Sequence, residues 1–450
     1  MNPPESSRGA LFDPTFGAGE LSRLLSDRAW VAAMVEVEAA LARAEAKCGV
    51  IPATSATTIS SVLTRIADDD SLDVGPLGVD AAAGGNPVIP LVKLLRGAVA
   101  EADPNVPSSH LHRGATSQDI LDTALVLLCR RSGAHVLASL DEAIASAEAL
   151  ARVERSTPMA ARTLGQQALP TTFGVLASGW MTALHRASRA LSGALAALCV
   201  QLGGAAGTSA ALHPHGFDVA DALADELGLP RQDVPWHTDR TRLALLASSL
   251  GTVAGAVSKI ATDIVFLSST EVGEISEGSP GGSSAMPHKR NPVAAITARA
   301  AARRVPGLVA AIHSSMDHEQ QRASGAWHAE WETLTDLLRL TGGAARRIAD
   351  SLGGLDIHPE VMARNLDITG GAMLAERVTG LLSSRTDSAH DLVAAACRSG
   401  HRLDEDPGLL EYLQAEEIRA LLDPTGYLGH AHDIVERALG TVAHDPEGTR

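Results

Sequence analysis

The stretch Thr241–Leu267, TRLALLASSLGTVAGAVSKIATDIVFL, sets Leu243, Leu246, Leu250, Val253, Val257, Ile260, Ile264 and Leu267 in alternating steps of three and four. That is the apolar spacing of a helix packed in a left-handed bundle, and it predicts a helix over about 241–276. A second stripe, Phe173, Leu176, Trp180, Leu184, Ala187, Leu191, Leu195, Leu198 and Leu202, has the same rhythm. Weaker versions cover about 119–154, 293–316 and 331–352. Five long helices make a bundle core. No sustained period-two segment is bounded by hairpin signals, so the predicted class is all-α. Abundant Ala and Gly let helices approach closely, which suits a chain with only 3% aromatic residues.

Working outward, residues 1–110 contain an amphipathic helix marked by Trp30, Met34, Val37, Leu41, Ala44 and Cys48, closed by Gly49 and Pro52. The Gly-rich stretch Ser351–Gly354, followed by Ile357-His358-Pro359, reads as a boundary. The expected domains are 1–110, a central long-helix domain 111–354, and a C-terminal helical domain 355–450. A chain of 450 residues exceeds what one core normally holds. With 53 acidic and 37 basic residues, a formal charge of −16 argues against nucleic acid and anionic lipid as partners. The start MNPPESSRGALF has no charged-then-apolar signal pattern, and no apolar run is read as approaching the ~18 residues of a membrane span. A soluble cytoplasmic protein is expected. Cys48, Cys129, Cys199 and Cys397 lack CxxC spacing and read as reduced core residues.

Three polar segments precede long helices. In His110–Asp119, Thr116 and Asp119 have the spacing of a capping box with Asp for Glu. The second is Arg162-Thr163-Leu164-Gly165-Gln166-Gln167. The third, Gly282–Pro292 (GSSAMPHKRNP), sets hydroxyls and cations against a helix start, with Asn291 expected as cap and Pro292 at the first helical position. Lys289 and the exposed N–H groups there suit a carboxylate or a developing negative charge. Singly, each segment is more often just a cap. Together they would grip several carboxylates, but a helix of about 35 residues spans roughly 50 Å, so antiparallel neighbours put successive N-termini at opposite ends. One shared site therefore requires several subunits, and a homo-oligomer follows.

GSSAMPHKRNP resembles the signature loop of the fumarase/aspartase superfamily, and HRGATSQD and RTLGQQALPTT fall where its other two site regions belong. Within it, LFDPTFG, GNPVIPLVKLL, HRGATSQDILDTA, GGAAGT, PWHTDRTRLALLA and GAWHAEWETL look most like the bacterial 3-carboxy-cis,cis-muconate cycloisomerases of protocatechuate breakdown; adenylosuccinate lyases come next. The resemblance implies a homotetramer with a 20-helix core and four sites, each built from three subunits, acting on a small polycarboxylate through an aci-carboxylate with no metal or other cofactor. It assigns Ser283 as the proton-transferring serine, with Ser284 and Met286 beside it, and Lys289 and Asn291 as the carboxylate-binding pair. His112, Thr116 and Ser117 match the first substrate segment, His112 also as a candidate acid; Arg162, Thr163 and Gln166 match the second. Arg240, Arg242 and Arg322 are added as charge partners for a tricarboxylate, against the competing reading of surface salt bridges.

One departure stands out. Superfamily lyases commonly carry THGQ in the second segment, whereas this chain has Leu164 at the His position. A lyase must help its leaving group depart, while an ionised carboxylate that adds internally gives up no proton, so Leu164 favours a cycloisomerase. The alternatives are a C–N lyase like adenylosuccinate lyase, and an inactive helical oligomer. Other chemistry fails on spacing. His318-Glu319-Gln320-Gln321-Arg322 lacks the second His of a zinc helix, Asp68-Asp69-Asp70 stands alone, and no Walker or dinucleotide loop surrounds Lys289 or Gly203–Gly207. His213, His215, His237 and His328 read as solvated or capped.

Overall fold

The computed structural model describes residues 11–69, 72–279, 281, 286 and 288–443. The opening stripe lies in a helix Thr241–Leu267. Leu243, Leu246, Leu250, Val253, Val257, Ile260 and Ile264 are all 0% exposed. Each such side chain stabilises the fold by about 1.5–3 kcal/mol relative to water, as an upper estimate. The helix stops at Leu267 and not near 276, because the chain turns through Gly273, at φ +62°, into a strand Ile275–Glu277. By length and composition alone this helix could cross a membrane, contrary to the sequence reading, yet 56% of its most apolar window is buried within the protein. It is a core helix.

Helices Ser117–Val153, Phe173–Ala196 and Ala326–Gly353 follow their expected stretches. The expected 293–316 helix is instead two, Val293–Ala302 and Val305–Ser314, with Pro306 opening the second. A proline has no N–H to continue the ladder, so the chain must restart there.

By packing, the chain forms two units, each assembled from three stretches. One comprises residues 1–139, 187–258 and 297–347; the other comprises 140–186, 259–296 and 348–450. In the first, helix Asp27–Lys47 packs against helices Ala53–Ala67 and Gly216–Leu227. In the second, a C-terminal helical cluster closes over Val378, Leu382, Val393, Leu409 and Ile418.

The fold is mostly helical, and the described residues include two small antiparallel sheets that the periodicity did not reveal. Strand Ile275–Glu277 pairs with Leu355–Ile357. Pro158–Thr163 pairs with Gln166–Thr172 as a hairpin, with Thr163 opposite Gln166. Its two-residue turn is Leu164-Gly165, both at positive φ (+52° and +79°). That backbone twist matches paired strands, which is why so short a loop closes them. Pro158 and Pro170, both toward its open end, mask its alternation in the sequence.

Candidate active site

The first polar segment lies in the first unit. His112 takes a positive φ of +60° between Leu111 and the start of helix 117–153, with Gly114 at +69° two residues on. This bent backbone lets its Nδ1 meet Glu38 Oε1 at 2.6 Å. The Glu38 side chain is fully enclosed and that of His112 is 16% exposed. Burial disfavours the charged ring, but the Glu38 charge and hydrogen bond outweigh it, with Asp119 adding to them, and the His112 pKa is raised. With Nδ1 committed to Glu38, Nε2 is the ring nitrogen left, and in the protonated ring it carries an N–H donor.

Asp119 fills the capping-box role, accepting from Thr116 N at 2.9 Å. It also accepts from Gly203 N and Gly204 N, each at 2.9 Å, and meets His237 Nε2 at 2.7 Å. One carboxylate thus ties the start of helix 117–153 to the Gly203–Gly207 turn. Of the two readings of His237, solvated or capped, burial rules out the first, since the ring is enclosed against Asp119. Ser117 opens the helix. Gln118 accepts from Arg322 NH1 at 2.7 Å, and Arg322 NH2 donates to the carbonyls of Gly204 and Ala205. These partners are neutral. The guanidinium is held beside the first segment with its charge unspent on them, which suits an incoming carboxylate.

Arg240 is a correction. Its guanidinium is 0% exposed and donates to Asp122 at 2.7 and 3.1 Å and to Glu330 at 2.7 Å and longer. Stacked over Trp236 and enclosed by two carboxylates, it has no face for a substrate, and neither is it a surface pair. Arg242 reaches Asp233, which is 73% exposed, and lies over Trp236: a surface pair, as the competing reading held.

The second and third segments belong to the second unit. Arg162 forks onto Glu274 at 3.0 and 2.6 Å, and Glu274, fully enclosed, also accepts from Asn365 Nδ2 at 2.8 Å. Arg162 therefore shares its charge with the protein. Thr163, Leu164, Gly165 and Gln166 are exposed at the hairpin end.

In the third segment, Gly281 and Asn291 exchange backbone hydrogen bonds of 2.9 and 3.1 Å. Helix 293–302 starts one residue later than expected. Pro292 supplies the first helical carbonyl, bonded by Ile296 N at 3.0 Å, so Asn291 is not the cap. Nor is the helix end open to an anion. Glu277 already occupies it, accepting from Ala294 N at 3.1 Å and Ala295 N at 2.9 Å, with Ser351 donating to the same carboxylate. A built-in carboxylate satisfies the positive end that sequence had offered to substrate. Lys289 is exposed, and no ion pair holds it among the described residues. Met286 is 42% exposed. Ser283 and Ser284 lie outside the described residues.

Glu38, Glu45, Glu274 and Glu277 were missed from sequence. For the first two a signal existed: Met34, Glu38, Leu41, Glu45 and Cys48 alternate by four and three, placing two carboxylates on the apolar face of their helix. Among the described residues, no three His, Cys, Asp or Glu side chains are grouped to hold a metal ion.

The lyase family profile matches residues 13–307. Nitrosuccinate lyase of Streptomyces davaonensis is 42% identical over 96% of this chain and 94% of its own length. The 3-carboxy-cis,cis-muconate cycloisomerase of Pseudomonas aeruginosa is 43% identical over 95% of each. Among solved structures, the 3-carboxy-cis,cis-muconate lactonizing enzyme of Pseudomonas putida matches with a TM-score of 0.89 and 39% identity, over 96% of this chain and 99% of that one. The chain belongs to the lyase family of the fumarase/aspartase superfamily.

Proposed function

We propose that this superfamily member is a cycloisomerase that closes 3-carboxy-cis,cis-muconate to 4-carboxymuconolactone. The observation that carries the reading is that relatives of this activity match along nearly the whole chain both in sequence and in solved structure. In the reaction one carboxylate oxygen adds across a conjugated double bond. The electron pair moves onto the neighbouring carbon and is held as an aci-carboxylate, and an acid then delivers a proton to that carbon; no group leaves, and the one proton taken up is replaced from solvent.

Two demands arise from this chemistry, and the residues suit both. The dianionic intermediate needs donors fixed before it forms, each strong one contributing about 3–4 kcal/mol. Lys289, Asn291 and Arg322 are the candidates, with Arg162 contributing what Glu274 leaves, and with Thr116, Ser117, Thr163 and Gln166 as neutral donors. The proton needs an acid, for which His112 and Ser283 compete; the raised pKa of His112 favours it. We further propose the homotetramer with shared sites. Half-exposed apolar side chains on the long and adjoining helices, Leu245 at 59%, Phe266 at 46% and Ile296 at 43%, support a protein that buries more surface than one chain can.

A second reading is favoured by the nitrosuccinate lyase relative. Elimination from nitrosuccinate would leave fumarate and nitrite. Nitrite is so weak a base that it departs without an acid, so Leu164 does not distinguish this lyase from the cycloisomerase. Leu164 disfavours only lyases with poor leaving groups.

The test is an ultraviolet assay for loss of the muconate diene beside a nitrite-release assay with nitrosuccinate. We expect kcat/KM for carboxymuconate to exceed that for nitrosuccinate by at least ~10²-fold. The opposite order would replace the cycloisomerase with the lyase.

A further inference from the structure

Behind the His112–Glu38 pair lies a second carboxyl. Glu45 is 0% exposed on the same face of helix 27–47, two turns beyond Glu38. Neither of its oxygens has a hydrogen-bond partner in the protein, and Glu38 Oε2 and Arg113 Nε are likewise buried and unpaired. Glu45 is within electrostatic reach of both Glu38 and Arg113. Buried polar atoms are almost always satisfied by protein or by ordered water, and a cluster this polar is the kind of place that holds water.

Other charges around Glu45 are already engaged. On its own helix Arg43 and Lys47 both pair with Glu226 of helix 216–227, and Asp218 of that helix acts on Cys48. Asp221 and Asp225 of the same helix pair with Arg231. Helix 53–67 offers Arg65, bonded at the surface to Ser61 O. The His112 segment supplies His112 and Arg113, with Arg96 and Asp119 acting on His112. Burial and the Glu38 charge act on Glu45 more strongly than Arg113 opposes them, so the two neighbouring buried carboxyls cannot both ionise cheaply.

We propose that Glu45 is a neutral carboxylic acid bridged through ordered water to the free oxygen of Glu38, a positioning residue that keeps Glu38 ionised and hence His112 protonated. The proton rests on Glu45, so Glu38 keeps its charge for the imidazolium and does not draw the proton from it. Burial foremost, then the Glu38 charge, pushes the Glu45 carboxyl up to about 9, in keeping with a neutral group at pH 7. The idea rests on reading His112 as the acid of the site, and not on which substrate is turned over.

The decisive measurement is infrared spectroscopy of wild-type enzyme carrying carboxyl-labelled glutamate, compared with Glu45→Gln. A protonated-carboxyl band should be present at pH 7, absent from the variant, and should bleach as pH rises through about 9. In kinetics, Glu45→Gln keeps a neutral hydrogen-bonding group and should leave the alkaline limb of kcat/KM in place, whereas Glu45→Leu, which cannot hold the water, should move it to lower pH by roughly half a unit or more. No labelled band in wild type, or a Glu45→Leu pH profile superimposable on that of wild type, would overturn the proposal. The infrared arm needs no turnover, so a protein that shows the band yet fails on carboxymuconate would refute the functional reading and leave this one standing.

Discussion

At the residue scale, the two carboxyls on the apolar face of helix 27–47 set how stability responds to pH. Both the Glu45 carboxyl and the His112 ring have raised pKa values, so the folded state holds more protons than the unfolded chain over the intervening range. The His112–Glu38 contribution is fully present below the unfolded histidine value and lost as pH rises through the folded one. For Glu45 the loss runs between its ordinary value of 4.5 and about 9. Each group therefore lowers stability with rising pH, by at most ~1.4 kcal/mol per pH unit. Thermal unfolding of Glu45→Gln should thus gain on wild type from pH 5 to pH 8, and parallel curves would show that Glu45 does not titrate. Leu164 makes a second point. It is 103% exposed at its turn, so Leu164→His should cost little stability within the chain. The substitution should not raise turnover of carboxymuconate; an increase would mean that the acid is supplied from this turn.

Elements carry the next layer. Arg240 joins three of them, since Asp122 stands on helix 117–153, Glu330 on helix 326–353, and Arg240 itself directly precedes helix 241–267. Removing one member of a buried ion group leaves the others charged and unpaired, which costs about 3–5 kcal/mol. Arg240→Met should accordingly lower the denaturation midpoint sharply, while Arg242→Met, which loses the ion pair to exposed Asp233 and the cation over Trp236, should cost no more than about 1–2 kcal/mol. Equal losses in chemical denaturation would contradict this division. The helices themselves were legible because an apolar stripe constrains every turn: all the marked residues from Leu243 to Ile264 are buried. The chain leaving a helix is less constrained. The stop at Leu267, the break before Pro306 and the hairpin at 158–172 are set by single turn residues, and short paired strands leave too few alternations to read. Local capping was legible where a segment lies at a helix start, as with Thr116 and Asp119. It was illegible where a distant carboxylate completes the start. Nothing near residue 293 in sequence announces that Glu277 fills that helix end, or that Glu274 takes Arg162.

For the whole molecule, the question is whether one chain can make a site. His112 lies in the first packing unit and Lys289 in the second, and the helix that follows the His112 segment runs for 37 residues before the Arg162 hairpin is reached. If sites draw these segments from different subunits of a tetramer, two inactive variants should complement. His112→Ala and Lys289→Met are each expected to lower kcat by at least ~10²-fold, because each group acts mainly on the intermediate. In tetramers formed from an equal mixture, the two positions of a given site come from chains drawn independently. Each is intact half the time, so roughly a quarter of sites are wild type at both. Activity near one quarter of wild type, appearing only after subunit exchange, is the expected result. Were both residues supplied by one chain, every site would carry one lesion and activity would stay at the level of the parents. Native mass spectrometry that finds mixed tetramers without recovered turnover would therefore place His112 and Lys289 together in a single subunit.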